Sequence, residues 1–247
     1  MLYKLTDQNM QTYNDTQWEL GVTKHAKSGD DGLCSNKWLH SYEHPLVAVL
    51  MNPIHSNFRN PRIFEAKPGR VIKHDRQLKC GVKSLTLLRE IEMPVMTIDQ
   101  LIEIAIRCAK VVSNDPKWNE WADSWLNGSD RSYAAANDAY DAAADAAADA
   151  SSAAYAAADA AADADAAAYA AARAYADADA AAYAAARAAY AAADAAADAS
   201  SAAYAAARAA ADAAAYAAYA AARAYARAID LIAICEQVCG KWEATKC

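Results

Sequence analysis

The sequence predicts an α+β protein: a small N-terminal α+β domain followed by a long all-α, Ala-rich heptad-repeat module. Three observations carry this. Residues 1–96 alternate short apolar segments with Pro and Gly, the punctuation of short strands and turns. Residues 97–128 contain two helix starts complete with caps. Residues 133–228 hold 63 Ala in 96 positions, and neither Gly nor Pro occurs between Gly128 and Gly240. Ala is the best helix former, and so long a run escapes the nucleation cost of short helices. The division is 1–96 small α+β domain, 97–128 connecting amphipathic helices, 129–239 Ala-rich helical module and 240–247 flexible tail.

In the first domain, residues 1–6 (MLYKLT) and 17–20 (QWEL) read as short strands. Residues 41–53 (SYEHPLVAVLMNP) suit a helix with Pro45 in its first turn, where the missing N–H costs nothing. PRIFEAKPG and RVIKH flank the Pro68-Gly69 turn as two further strands. Residues 82–92 form a longer alternating segment, with Val82, Leu85, Leu87 and Ile91 as apolar positions. Antiparallel pairing of these strands is the expectation. The Asn-rich stretch 52–57 reads as a turn stapled by side chains, and no phosphate-loop or dinucleotide fingerprint occurs.

His40, His44 and His55 fall near Cys34 and form the one constellation with acid–base or metal chemistry. Pro45 argues against one helix carrying both His40 and His44, and no intervening Glu makes the pair a metalloprotease motif. Hydrogen-bonded histidines beside a loop are the simpler reading. Cys34, Cys80, Cys108, Cys235, Cys239 and Cys247 are scattered, unlike a disulfide framework. Cys235 and Cys239 lie four apart on a helix but have no His nearby to complete a metal site. No cofactor is implied.

Thr97-Ile98-Asp99-Gln100 matches a capping box, followed by apolar residues at helical spacing from Leu101 to Val112. Asp115 and Pro116 begin a second helix that Gly128 ends. Its Trp118, Trp121 and Trp125 form a stripe at i, i+3, i+7. Such a stripe can stack on a partner, but core packing is the stronger reading.

The Ala-rich module repeats every seven residues. Tyr155, Tyr169, Tyr183, Tyr190, Tyr204 and Tyr225 are separated by multiples of seven, and Asp149, Asp163, Asp177, Asp198 and Asp212 sit one position later. Ala146, Ala150, Ala153, Ala157, Ala160, Ala164, Ala167 and Ala171 alternate three and four apart, a narrow seam of small side chains. AAADAAADASSAAYAAA occurs at Ala142 and again at Ala191, an offset of 49 residues that keeps the seam in register. As one helix, residues 129–239 would extend ~165 Å at ~1.5 Å per residue. A seven-residue period calls for a partner helix, from the same chain as a hairpin or bundle or from another as a coiled coil. Tyr155, Tyr169, Tyr183 and Tyr204 would cover the crevice or meet a partner. The tail from Ile229 to Cys235 turns abruptly to large apolar residues, which should dock back on a core or seal an oligomer end.

The net charge of −7 comes from the module, with 12 Asp and 5 Arg over residues 133–228. It argues against nonspecific nucleic-acid binding but not against a local basic patch on the first domain. No membrane span is expected, because the Ala run never offers 18 charge-free residues. The N-terminus lacks a secretory core, so a cytoplasmic location is expected. Ice binding is disfavoured: residues 133–228 contain no Thr.

MLYKLTD, CSNKWLH (34–40), HPLVAVLMNPIHSNF (44–58), KCGVKSLTLLREIEMP (79–94) and DPKWNEWADSWLNGSDRS (115–132) resemble an uncharacterised family of tailed bacteriophages and prophages. Its members join such a head to Ala-rich repeats. Similar repeats occur in bacterial immunity proteins. The resemblance implies a phage accessory protein in the cytoplasm of the infected or lysogenic bacterium, or associated with the virion, and carries over no catalytic residues. The leading expectation is a noncatalytic interaction or assembly protein that meets a protein partner or itself. The alternatives are a small enzyme built on Cys34, His40, His44 and His55, and an immunity-like inhibitor of a toxin or host enzyme.

Overall fold

The computed structural model describes residues 1–13, 16–29, 32–33, 35–69, 72–113, 115–132, 134–136, 138–139, 185, 217 and 229–242. The chain divides into two compact units: Met1–Met96 with Asp230–Cys247, and Thr97–Ile229.

The first unit is α+β. Its main sheet has four strands in the order β1-β6-β9-β4, where β1 is Leu2–Thr6, β4 Thr23–His25, β6 Arg62–Pro68 and β9 Ser84–Ile91, and neighbouring strands pair antiparallel. β5 (Leu39–Ser41), β8 (Lys79–Val82) and β7 (Ile72–Asp75) form a three-stranded sheet, and β2 (Gln11–Thr12) and β3 (Thr16–Gln17) a short ribbon. The strand expected at 17–20 is therefore different: Thr16 and Gln17 pair with β2, and Leu20 bridges to Leu87. Trp18, between them, is buried, and its backbone N–H donates to the Met10 carbonyl at 2.8 Å.

Burial follows the expected alternation where one face of a strand is wet. On β9, Leu85 and Leu87 are buried while Leu88 and Glu90 are exposed. β6 is buried at four consecutive positions from Ile63 to Ala66, so both of its faces are covered. That burial includes Glu65, which the Arg89 guanidinium across on β9 satisfies with two 2.8 Å hydrogen bonds. Those bonds hold the Glu65 carboxyl below the usual carboxylate range.

Helix α1 spans Pro45–His55, with Pro45 in the first turn, and buries Leu46, Val47, Leu50 and Met51. His44 caps it, its Nδ1 accepting from the Leu46 amide at 3.3 Å. At the far end the Asn52 side chain exchanges two hydrogen bonds with the Phe58 backbone, the expected staple, and Asn57 takes a positive φ of 48°. The terminal helix, labelled α4 below (Leu231–Cys239), packs on α1 and buries Leu231 and Cys235. Asp230 caps it through the Ala233 amide at 3.0 Å, and Glu236 lies 3.4 Å from His44. The apolar tail thus docks on the first unit's own core.

In the second unit, α2 spans Ile98–Val112 and α3 Pro116–Asn127. The Thr97–Gln100 capping box is formed in both directions, Asp115 caps α3, and Gly128 ends it at φ 78°. That left-handed conformation is one a side chain would resist. Trp118, Trp121 and Trp125 are buried against Ile102, Ala105, Ile106 and Ala109 of α2. Trp118 and Trp121 meet edge to face at 5.6 Å. The same core contains Ala136, Ala139, Ala185 and Ala217. On one straight helix Ala136 and Ala185 would stand ~74 Å apart at ~1.5 Å per residue. Instead they share a core, 49 residues apart like the two copies of the long repeat.

Candidate functional site

A cleft of about 580 Å³ opens in the first unit, on the face of the main sheet that carries Leu2 and Lys4. Its floor is set by strand geometry. Lys4 stands opposite Phe64 in the β1–β6 ladder, and the alternation of β1 aims its side chain to the same face as Leu2. The ammonium donates to the His40 carbonyl at 2.7 Å and lies 5.2 Å from the Trp18 ring centroid. Trp18 is held in turn by a 3.0 Å bond from its indole N–H to the Thr12 hydroxyl.

Trp38 forms a second wall, and it explains Gly81. A Cβ on Gly81 would displace the end of the Leu33 side chain and approach the Trp38 Cβ to 3.0 Å, so glycine lets the loop before β5 lie close against β8. Lys83 covers the Trp38 ring at 3.6 Å and donates to the Gly29 and Lys37 carbonyls at 2.6 and 2.8 Å. At the mouth, Tyr13 stacks on Phe58 with centroids 6.0 Å apart, its hydroxyl donating to the Ser56 carbonyl at 2.7 Å.

The electrostatics are one-sided. Lys24, Lys27 and Lys79 join Lys4 in the lining, with His25, His40 and His55, and no Asp or Glu is among the described lining residues. Burial pushes the Lys4 amine down to about 8. Burial, reinforced by the charges of Lys79 and His40, pushes His55 down to about 4. His40 moves the same way, with Lys4 and Lys79 adding to desolvation against its backbone bond to the Leu33 carbonyl. Neighbouring cations thus add to burial at the two histidines, while at Lys4 burial is the cause.

The cleft sorts the histidine constellation. His40 and His55 both line it, His40 from β5 and His55 from the last turn of α1, where its Nδ1 lies 3.3 Å from the Tyr42 hydroxyl. His44 lies outside the lining, engaged in the helix cap and with Glu236. Cys34 falls outside the described residues, as do Tyr155, Tyr169, Tyr183 and Tyr204. Cys80 lies near the floor, but burial pushes its thiol up to about 11 and it donates to the Ser41 carbonyl. Trp118, Trp121 and Trp125 are interior to the second unit. Sequence reading missed Lys4: as one cation among the strand residues of MLYKLT it carries no motif, and only period-two alternation placed it with Leu2 on an inner face.

Among the described residues, no group of three or more His, Cys, Asp or Glu side chains is arranged to hold a metal ion. Among them, too, no helix is long and apolar enough to cross a membrane.

The class of the N-terminal part emerges from comparison of the sequence with protein families. A family described as "Domain of unknown function (DUF7666)" matches residues 1–99, which include every residue of the cleft. No curated protein and no solved structure matches the chain.

Proposed function

We propose that this chain is a noncatalytic, phage-encoded interaction protein, in which the N-terminal unit recognises a partner and the Ala-rich module is a body closed within one chain. The observation that carries the second half is the shared core of Ala136, Ala139 and Ala185 with the Trp stripe. All three stand at heptad positions that continue the seam of Ala146, Ala150 and Ala153. Ala136, Ala139 and Ala185, covered by their own chain, are not open to a second copy, which favours partner recognition over assembly. The phage assignment draws on the resemblance of the head segments and their Ala-rich continuation.

A second reading, a small enzyme, draws on the meeting of His40 and His55 in one cleft. The described groups there are cationic or basic, and the nearby Cys80 thiol is held protonated. That set is better suited to holding an anion than to attacking a substrate.

Light-scattering mass of the full-length chain over a concentration series tests the leading reading. A monomer at every concentration is the expected result. A defined oligomer persisting to the lowest concentration would overturn it, returning the seam to pairing between chains.

A further inference from the structure

We propose that the cleft of the first unit is a binding site for a free mononucleotide, with the phosphate drawn to Lys4 and Lys79 and the base lying against the aromatic side chains. This goes beyond the reading above and does not depend on how the Ala-rich module pairs.

The argument starts from Lys4. Lysine is almost never fully buried unless paired. Here the side chain is 8% exposed, and the described bond of its ammonium is to a neutral carbonyl. No carboxylate among the described residues forms an ion pair with it. A charge held in this way on the floor of a cavity is costly to the fold and is repaid when an anion arrives. Lys24, Lys27 and Lys79 line the same cavity, so an anion there would sit among cationic side chains.

Size and shape narrow the anion. About 580 Å³ lies within the range of small-molecule sites and is far more than an inorganic phosphate fills. Trp18 and Trp38 are packed into the interior behind the cavity, so the accessible aromatic surface lies at the mouth, where Tyr13, 63% exposed, stacks with Phe58. Aromatic faces accept any base by stacking. Thr12, Thr16, Ser35 and Asn36 add hydroxyl and amide groups suited to a sugar and base edge. A long strand is a poorer fit, because a cavity of about 580 Å³ is the size of a single small-molecule ligand.

The test is calorimetric titration of the full-length chain with each of the four ribonucleoside 5′-monophosphates, with the matching nucleosides, with inorganic phosphate and with decathymidylate. At least one monophosphate should bind ten-fold or more tightly than phosphate, than its nucleoside and than the oligonucleotide. Lys4→Met and, as a second variant should that one not fold, Lys79→Met should each weaken binding at least ten-fold. Lys67→Met, on the exposed end of β6 and outside the lining, should leave it unchanged. Absence of monophosphate binding would overturn the proposal, as would equal affinity for phosphate, tighter binding of the oligonucleotide, or wild-type affinity in a folded Lys4 variant. The titration reads the cleft and the mass measurement reads the module, so either reading can fail alone.

Discussion

The two units bury different things. The first packs Leu, Ile, Val and aromatic side chains in strand alternation and encloses an ammonium among them. The second packs three Trp against Ile102 and Ile106 of α2 and against small residues, with Ala136, Ala139, Ala185 and Ala217 among them. At ~25 cal/mol per Å² of apolar area, an Ala methyl contributes little and a Trp ring a great deal. Among the described residues, the second core therefore draws much of its apolar area from the Trp rings, while the first spreads its stability widely enough to tolerate a polar cavity. Where stability is concentrated a single truncation is severe; where it is distributed a costly charge can be kept for binding.

The contrast can be broken at its strongest point first. Trp118→Ala should cost the second unit about 3–5 kcal/mol, the usual loss for truncating a buried aromatic. Denaturant unfolding followed by circular dichroism should show the helical transition displaced to lower denaturant. A loss below about 1 kcal/mol would mean that the Ala contacts, not the Trp rings, carry that core.

Lys4→Met sharpens the other side. Lys4 falls from an ordinary 10.5 to about 8, and one unit corresponds to ~1.4 kcal/mol. The charged form therefore costs the native state about 3 kcal/mol at neutral pH, partly offset in any comparison by the hydrogen bond to His40 that the variant loses. The variant should be more stable than wild type by about 1–2 kcal/mol in chemical denaturation, a gain typical of replacing a residue kept for function. Loss of stability would instead make Lys4 a structural tie between β1 and β5.

The pH response tests the basic groups beside Lys4. His55 is a base whose folded value, about 4, lies below its ordinary 6.5. As pH falls through 6.5 the unfolded chain takes the proton first, so stability declines between about 6.5 and 4 and levels off below. His40 has the same sign, and Lys4, Lys79, Tyr42 and Cys80 are the other titratable groups around them. Thermal melting should fall between pH 6.5 and 5, above the range in which Glu65 and Glu90 take up protons. His55→Gln should flatten that fall, and an unchanged slope would remove His55 as its source.

Much of the fold was legible because its signals are local. Thr97 with Gln100, Asp115 with Pro116 and Gly128 announced helix ends through hydrogen bonds made within one turn. Leu85 and Leu87 announced β9 through alternation. β4 and β5 were silent: Thr23–His25 and Leu39–Ser41 are three-residue strands, too short for a period, and exist because β9 and β8 lie beside them. The site was half legible. His40 and His55 stood out by residue type, but their separation from His44 depended on where α1 began and on what lay beneath it.

The sequence by itself determined the α+β class of the first unit, the caps of α2 and α3, the apolar change at Ile229 and the seven-residue seam. Each follows from bonds or periodicities within a few residues. Only the tertiary structure decided that α4 lies on α1, that Ala136 and Ala185 share a core, and that Lys4 faces a cavity with His40 and His55. These joins link residues 36 or more positions apart, whose proximity is set by the burial of all the segments together and by no signal in either one.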